Sequence, residues 1–333
     1  MSIFGGSKFL NIRSEVSEFK FDMPGLKIAS VTDQSLATGA TLFLLPPHST
    51  ANYDARGGSV AAIETTLLDE SSYSNEIDGI LFAGGSTMGL EATQGVRRKL
   101  FKERSTHATD FDFIPSIPGA VVYDFGNRIE ASQKKLNFPN IKMGEAAFDQ
   151  ARENSIMIGR VGAGTSTTGN KISQAVWGGQ GAAFREIILE DGFSFKIFTA
   201  VVVNAHGDIH LPDGVVLDKE ALARLRQQPK INAKRKNTTL SIVITDVSLD
   251  RSQLKRLANM VHTGMAAVIR PFHSYTDGDI LFAVSLHQKQ MPTEGAEGSE
   301  EVLQLKASEA MNEAIVKSVM IANGVNDNRK ISE

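Results

Sequence analysis

The chain has 333 residues, of which 41% are hydrophobic and 22% charged, and a net charge of -3 at neutral pH. That is enough apolar material for a packed core, and so small a charge favours neither nucleic acid nor an anionic membrane as partner. There is no cysteine, which excludes disulfides, thiolate zinc sites and thiol nucleophiles.

In chain order, Met1 to Lys8 shows no basic region leading into a long apolar run, and no apolar stretch reaches the length of a membrane span. A cytoplasmic protein is the expectation. Residues 1–20 read as polar and irregular. Leu26 to Val31 and Ala40 to Leu45 read as strands joined around Gly39, the second closed by Pro46 and Pro47. The loop Asp54-Ala55-Arg56-Gly57-Gly58 follows. Ile80 to Ala83 is a short buried strand that runs through Gly84-Gly85-Ser86-Thr87-Met88-Gly89 into a helix over Leu90 to Phe101. Gly119 to Asp124 contains another buried strand, and a helix lies around Gly144 to Glu153. The strand Ile156 to Val161 enters a second glycine-rich loop at 162–171. Phe195 to Val203 is strongly β-like and turns at Asn204-Ala205-His206-Gly207. Leu217 to Arg226 reads as a short helix, and residues 227–237 as an exposed polar and basic linker. Beyond it, Leu240 to Thr245 is a strand. Ser252 to Ile269 is an amphipathic helix with Leu254, Leu257, Met260, Val261 and Met265 on one face. Asp277-Gly278-Asp279 is a turn, Ile280 to Val284 a strand, residues 288–300 a loop, and Val302 to Ala322 a long final helix. Packed layers of sheet and helix in one α/β (α+β) domain over residues 1–333 are expected.

Two glycine loops invite a nucleotide reading and fail it. Gly162-Ala163-Gly164 starts like a dinucleotide fingerprint, but Thr167 takes the sixth place. Asn170 separates Gly169 from Lys171, where a phosphate-cradling loop needs glycine, lysine, then serine or threonine. A tight loop with backbone against backbone fits better. Met88 stands where a Gly-x-Ser-x-Gly elbow needs glycine. The seven histidines are scattered and form no His-Glu-x-x-His pair, so neither a metal nor a cofactor is expected. The basic run from Arg224 to Lys236 has no interleaved aromatics, which argues against nucleic acid.

The stretch that stands out is Asn237-Thr238-Thr239-Leu240. A flexible linker meets a hydroxyl residue, and a buried strand starts at once. A threonine at a strand start is ordinarily structural, but this join has a chemical use. If the Thr238 hydroxyl attacks the Asn237 carbonyl, the chain shifts to an ester and hydrolyses. Thr238 then carries a free α-amine with a pKa near ~8 rather than a side-chain ammonium near ~10. Such an amine can serve as base for its own hydroxyl, so no histidine is needed. Asp277-Gly278-Asp279 has the same two readings: ordinary turn chemistry, or two carboxylates held at a strand entrance.

Several stretches together resemble the nylon-oligomer hydrolases (6-aminohexanoate-oligomer endohydrolases) and, more distantly, the L-aminopeptidase/D-esterase and β-peptidyl aminopeptidase family. They are Ala37-Thr38-Gly39-Ala40-Thr41, Asp54-Ala55-Arg56-Gly57-Gly58, Ala83 to Ala92, Val122-Tyr123-Asp124-Phe125, Gly162-Ala163-Gly164, Gly179 to Phe184, Asn237-Thr238-Thr239, and Pro271-Phe272-His273 with Asp277-Gly278-Asp279. The resemblance implies a four-layer αββα sandwich like that of N-terminal-nucleophile hydrolases. It implies self-cleavage between Asn237 and Thr238, giving chains 1–237 and 238–333, with Thr238 as nucleophile. Asp277 and Asp279 match the paired carboxylates behind it, Lys171 a lysine beside it, Asn204 an oxyanion donor and Tyr123 a substrate-side tyrosine. The implied activity is hydrolysis of linear amides of 6-aminohexanoate oligomers or similar short peptides, with no cofactor. Aminopeptidase action on short or β-amino-acid peptides, acyl transfer and an uncleaved scaffold are the alternatives. Homo-oligomers, typically tetramers of cleaved heterodimers, are implied as well.

Overall fold

A computed structural model describes residues 15–105, 114–128, 137–173, 175–210, 236–291 and 299–325. The helix expected over Leu217 to Arg226 and most of the linker lie outside them. Within these residues the chain builds two stacked sheets with helices on both outer faces.

The larger sheet has seven strands in the order β1-β9-β12-β13-β15-β17-β4. These are β1 (Val16–Lys20), β9 (Ser155–Gly159), β12 (Gln180–Ile188), β13 (Ser194–Asn204), β15 (Thr238–Val247), β17 (Ile280–Lys289) and β4 (Thr50–Ala55). The smaller sheet has the order β5-β7-β6-β3-β2-β8. Its strands are β5 (Ala62–Ile63), β7 (Gly119–Val121), β6 (Gly79–Ala83), β3 (Thr38–Leu44), β2 (Lys27–Asp33) and β8 (Arg152–Glu153). Two short ribbons lie beside them, β10 (Thr168–Gly169) with β11 (Val176–Trp177), and β14 (Asp208–Ile209) with β16 (Ile269–Arg270).

Strand alternation sorts the side chains into three cores. Phe43, Ile80 and Phe82 of the small sheet meet Phe198, Leu240, Ile242, Ile244 and Phe282 of the large one. The intervening residues Leu42, Leu81 and Ala83 face helix α1 (Glu91–Ser105) through Ala92 and Val96, and α2 (Ile141–Gln150) through Ala147. On the other outer face Val201, Val203, Val243 and Leu281 meet α3 (Arg251–Gly264) and α4 (Ser299–Ala322). The layering is therefore αββα. All ten residues of β15 are buried, as a strand covered on both faces requires. No helix among the described residues is long and apolar enough to cross a membrane.

Local chemistry accounts for the element ends. Asp250 caps α3 by accepting from the amides of Ser252 and Gln253, while the Gln253 side chain accepts from the Asp250 amide. This reciprocal capping box is worth about 1 kcal/mol. The helix stops at Gly264, short of the expected Ile269, because Ile269 and Arg270 are drawn into the ribbon with β14. Met260 is exposed rather than on the apolar face, since it sits roughly 100° from the centre of the Leu254, Leu257, Ala258 and Val261 stripe. Residues 16–20, read as irregular, form β1 by pairing with β9. At the end of the expected exposed linker, Asn237 is buried, because it bridges to Asp277 and is bonded through both ends of its side chain.

The topology sets where chemistry can happen. β13 runs antiparallel to β15 so that Asn204 pairs with Thr238, and β15 runs parallel to β17 with α3 in the crossover. The end of β13 and the starts of β15 and β17 therefore lie at the same end of the large sheet's central strands.

Candidate active site

Thr238 opens β15 and is 5% exposed. Its hydroxyl donates to the carbonyl oxygen of the preceding residue, Asn237. The same oxygen accepts the backbone N–H of Gly278 at 2.9 Å. One peptide bond thus has a hydroxyl on its oxygen and a fixed amide dipole polarising it, at the distance expected of an oxyanion donor. Gly278 has to be glycine here: a Cβ would lie 2.7 Å from Thr238 Oγ1 and 2.7 Å from the Ser59 carbonyl oxygen.

Both carboxylates of the Asp277-Gly278-Asp279 turn are buried and differently held. Asp279 Oδ1 accepts the Thr239 amide at 2.7 Å, and its Oδ2 accepts the His273 amide and ring Nδ1, each at 3.1 Å. Asp277 Oδ2 accepts the Ser274 amide at 3.1 Å and its hydroxyl at 2.5 Å, while Oδ1 has no partner among the described residues. Burial, and then the charge of Asp279, push the Asp277 carboxyl above the usual carboxylate range. The Gly57-Gly58 loop forms the bed under this turn. A Cβ on Gly57 would stand 2.3 Å from the Asp277 carbonyl oxygen, and one on Gly58 2.2 Å from that of Tyr275.

Lys171 reaches the site from the second glycine loop. Its backbone N–H donates to the His206 carbonyl, so the turn after β13 holds it in place. Its Nζ donates to Asn204 O at 2.8 Å, Asn204 Oδ1 at 3.0 Å and Asn237 Oδ1 at 2.9 Å. All three ammonium protons are used. Burial lowers its pKa to about 7, against the pull of Asp277 and Asp279. Asn204 Oδ1 also accepts the Thr168 amide, and its Nδ2 donates to the carbonyls of Lys236 at 3.2 Å and Tyr123 at 3.3 Å. The Asn204 amide is thus aimed one residue upstream of the polarised carbonyl. The Tyr123 ring lies beneath the Lys236 ammonium, 4.6 Å from ring centre to Nζ.

Thr238, Asn237, Lys171, Asn204, Tyr123, Asp277 and Asp279 therefore meet in one polar cluster. Two further contributors gave no signal in the sequence, and a third gave little. Thr276 accepts the Asn237 side-chain amide at 3.2 Å, and the Gly278 N–H is a backbone group with no residue signature. His273 was visible only as part of a motif. It clamps Asp279 and meets the ring of His262 edge to face, with centroids 4.3 Å apart, and His262 Nδ1 bonds Asp54 at 2.9 Å. The 162–164 loop has its amides occupied, Gly162 by Thr32 Oγ1 and Ala163 by Thr41 Oγ1.

Comparison with known proteins gives a consistent result. Residues 21–331 match the model of peptidase family S58. A 6-aminohexanoate-oligomer endohydrolase of Paenarthrobacter ureafaciens is 32% identical over 290 residues, 82% of this chain and 76% of that protein. The enzyme of the same name from a Kocuria species is 31% identical over 87% of this chain and 83% of its own. Among solved structures, the L-aminopeptidase D-Ala-esterase/amidase of Ochrobactrum anthropi, described as a variant of the Ntn hydrolase fold, superimposes with a TM-score of 0.68 at 19% identity. That match covers 90% of this chain and 84% of the other. A Burkholderia β-aminopeptidase gives 0.65 at 20% identity, over 90% and 85%.

Proposed function

Since the chain belongs to peptidase family S58 and is a hydrolase acting on amides, we propose that it activates itself by cutting the Asn237–Thr238 bond and then uses Thr238 as nucleophile. The observation that carries this reading is the Thr238 hydroxyl seated on the Asn237 carbonyl oxygen, which also accepts the Gly278 amide. In the first stage Oγ forms a bond to the Asn237 carbonyl carbon, and its proton passes to Asp277. Asp277 suits this because burial raises its basicity and it directly precedes Gly278, whose amide holds the attacked carbonyl. The carbon–nitrogen bond breaks, and the nitrogen takes a proton to become the α-amine of Thr238. Water then adds across the ester, returning a proton to Oγ and leaving a carboxylate on Asn237.

In the second stage that amine takes the Oγ proton as Oγ attacks a substrate amide. The tetrahedral oxygen is held by the Gly278 N–H. Asn204 Nδ2 supplies a second donor once the Lys236 carbonyl withdraws with the new chain end. The proton moves to the leaving amine, an ester remains on Oγ, and water releases the acid. Linear 6-aminohexanoate oligomers are the proposed substrates, by likeness to the endohydrolases. The family also contains proteins named as aminopeptidases, so the assay pairs these oligomers with free amino-acid amides and follows products by chromatography. Shortened oligomers from internal cuts are the expected result, and release of amino acids alone would instead make the protein an aminopeptidase. No product from either class would sink the proposal.

Gly278 provides a separate check on self-cleavage. In Gly278→Ala the added methyl meets Thr238 Oγ1 and the Ser59 backbone, so oxygen and donor cannot keep their places. The two fragments should appear at least about tenfold more slowly. A time course on a denaturing gel reads this, and an unchanged rate would remove Gly278 from the oxyanion role.

A further inference from the structure

The side chain of Asn237 occupies a built pocket of its own. It is 3% exposed, and both ends of its carboxamide are matched: Oδ1 accepts Lys171 Nζ at 2.9 Å, and Nδ2 donates to Thr276 Oγ1 at 3.2 Å. In the reaction proposed above, Asn237 is the acyl residue of the first ester formed on Thr238 Oγ. A substrate's acyl group later forms the same ester on the same oxygen, with its carbonyl on the same Gly278 amide. The acyl group next to the carbonyl must then enter the space that the Asn237 side chain leaves.

We propose that the pocket holding the Asn237 carboxamide becomes the acyl-side specificity pocket of the mature enzyme, and that it selects acyl groups carrying a carboxamide on the β-carbon, as asparaginyl amides do. This rests on the reading of Thr238 as nucleophile and adds a substrate class to it.

The physics is that of an unmatched buried donor. In its ammonium form Lys171 has three protons, and Asn204 takes only two. When Asn237 withdraws, the third proton points into the acyl pocket, and the Thr276 hydroxyl loses its N–H donor. A substrate with a β-carboxamide restores both bonds. One with a branched alkyl group of the same shape fills the space but leaves the buried ammonium a bond short, and a site built for hydrogen bonds discriminates strongly against such an analogue. An unbranched 6-aminohexanoyl group places methylenes beside both polar atoms, so it is accepted on chain shape without this gain.

The test uses the purified, matured protein and two near-isosteric anilides, N-acetyl-Asn and N-acetyl-Leu p-nitroanilide, run beside the same pair with free amines. Acetylation mimics the chain that precedes Asn237. The expected kcat/KM ratio favours Asn over Leu by about tenfold to a hundredfold. Thr276→Val should lower the ratio to the part that Lys171 contributes, and Thr276→Ser, which keeps the hydroxyl, should restore it. That rescue separates recognition from loss of folding. A ratio near one in the unaltered protein, with 6-aminohexanoate oligomers still cleaved, would overturn the pocket proposal and leave the nucleophile reading standing. An Asn preference undiminished in Thr276→Val would overturn it too. Hydrolysis of no amide at all would overturn both.

Discussion

Thr238→Ala is expected to purify as one uncut chain of 333 residues and to hydrolyse no amide, while the unaltered protein yields fragments 1–237 and 238–333. Alanine removes the hydroxyl seated on the Asn237 carbonyl oxygen, the proposed nucleophile, without disturbing the strand. The residue sits at the end of the pairing with β13, and its hydroxyl bonds only to the Asn237 carbonyl oxygen. The change therefore acts on chemistry rather than on the fold. Among the described residues, the Ser274 and Thr276 hydroxyls nearby are bonded to Asp277 and the Asn237 side chain, and the unpartnered Thr239 hydroxyl lies on the opposite face of β15, as strand alternation requires. Intact mass of the purified variant checks the cut, and the oligomer assay checks activity. A Thr238→Ala chain that still separates at this bond, or that keeps its amidase activity, would place the nucleophile elsewhere.

Lys171→Met should slow appearance of the fragments by about a hundredfold or more. Lys171 ties the Asn237 side chain to both the backbone and the side chain of Asn204. Without it Asn237, whose carbonyl is the proposed site of the cut, loses one of its two side-chain anchors, and misplacement of about 1 Å at a reacting group costs on the order of 10²-fold. The same variant has a signature in stability. Burial holds the folded-state pKa at about 7, against a usual 10.5. Between these values the unfolded chain keeps a proton that the folded chain has released. Unfolding then binds protons, so this group makes stability rise as pH increases from about 7 to 10.5. Its penalty on folding is full below pH 7 and gone above 10.5. Denaturant midpoints measured across that window should climb for the uncut Thr238→Ala chain and lose this slope when Lys171→Met is added to it. Equal slopes in the two proteins would mean the amine is not buried as described.

Much of the architecture was legible because periodicity is local. The β-branched run from Leu240 to Thr245 and the apolar run from Ile280 to Val284 are strands whatever surrounds them. The stripe Leu254, Leu257, Val261 could only face a core. The misreadings have long-range causes. Residues 16–20 become a strand only because β9 offers an edge, and Ile269 leaves the helical pattern only because β14 captures it. Asn237 reads as linker from its basic neighbours, and is buried because Asp277, Lys171 and Thr276 each take part of it.

The chemical inventory was set by the sequence alone: no thiol, no histidine constellation, a threonine at a linker–strand join, two aspartates flanking a single glycine, and a lysine in a glycine loop. Its glycines at 57, 58 and 278 also mark where backbone must approach backbone, though not what approaches. The tertiary structure decided which of these meet. Antiparallel pairing brings Asn204 to Thr238, and the parallel crossover through α3 brings Asp279 to the Thr239 amide. Neither pairing is encoded in any short window, because the partners are 34 and 40 residues apart in the chain. The donor on the Asn237 carbonyl is a main-chain N–H that every residue except proline carries, so only the path of the chain could single out the one at Gly278.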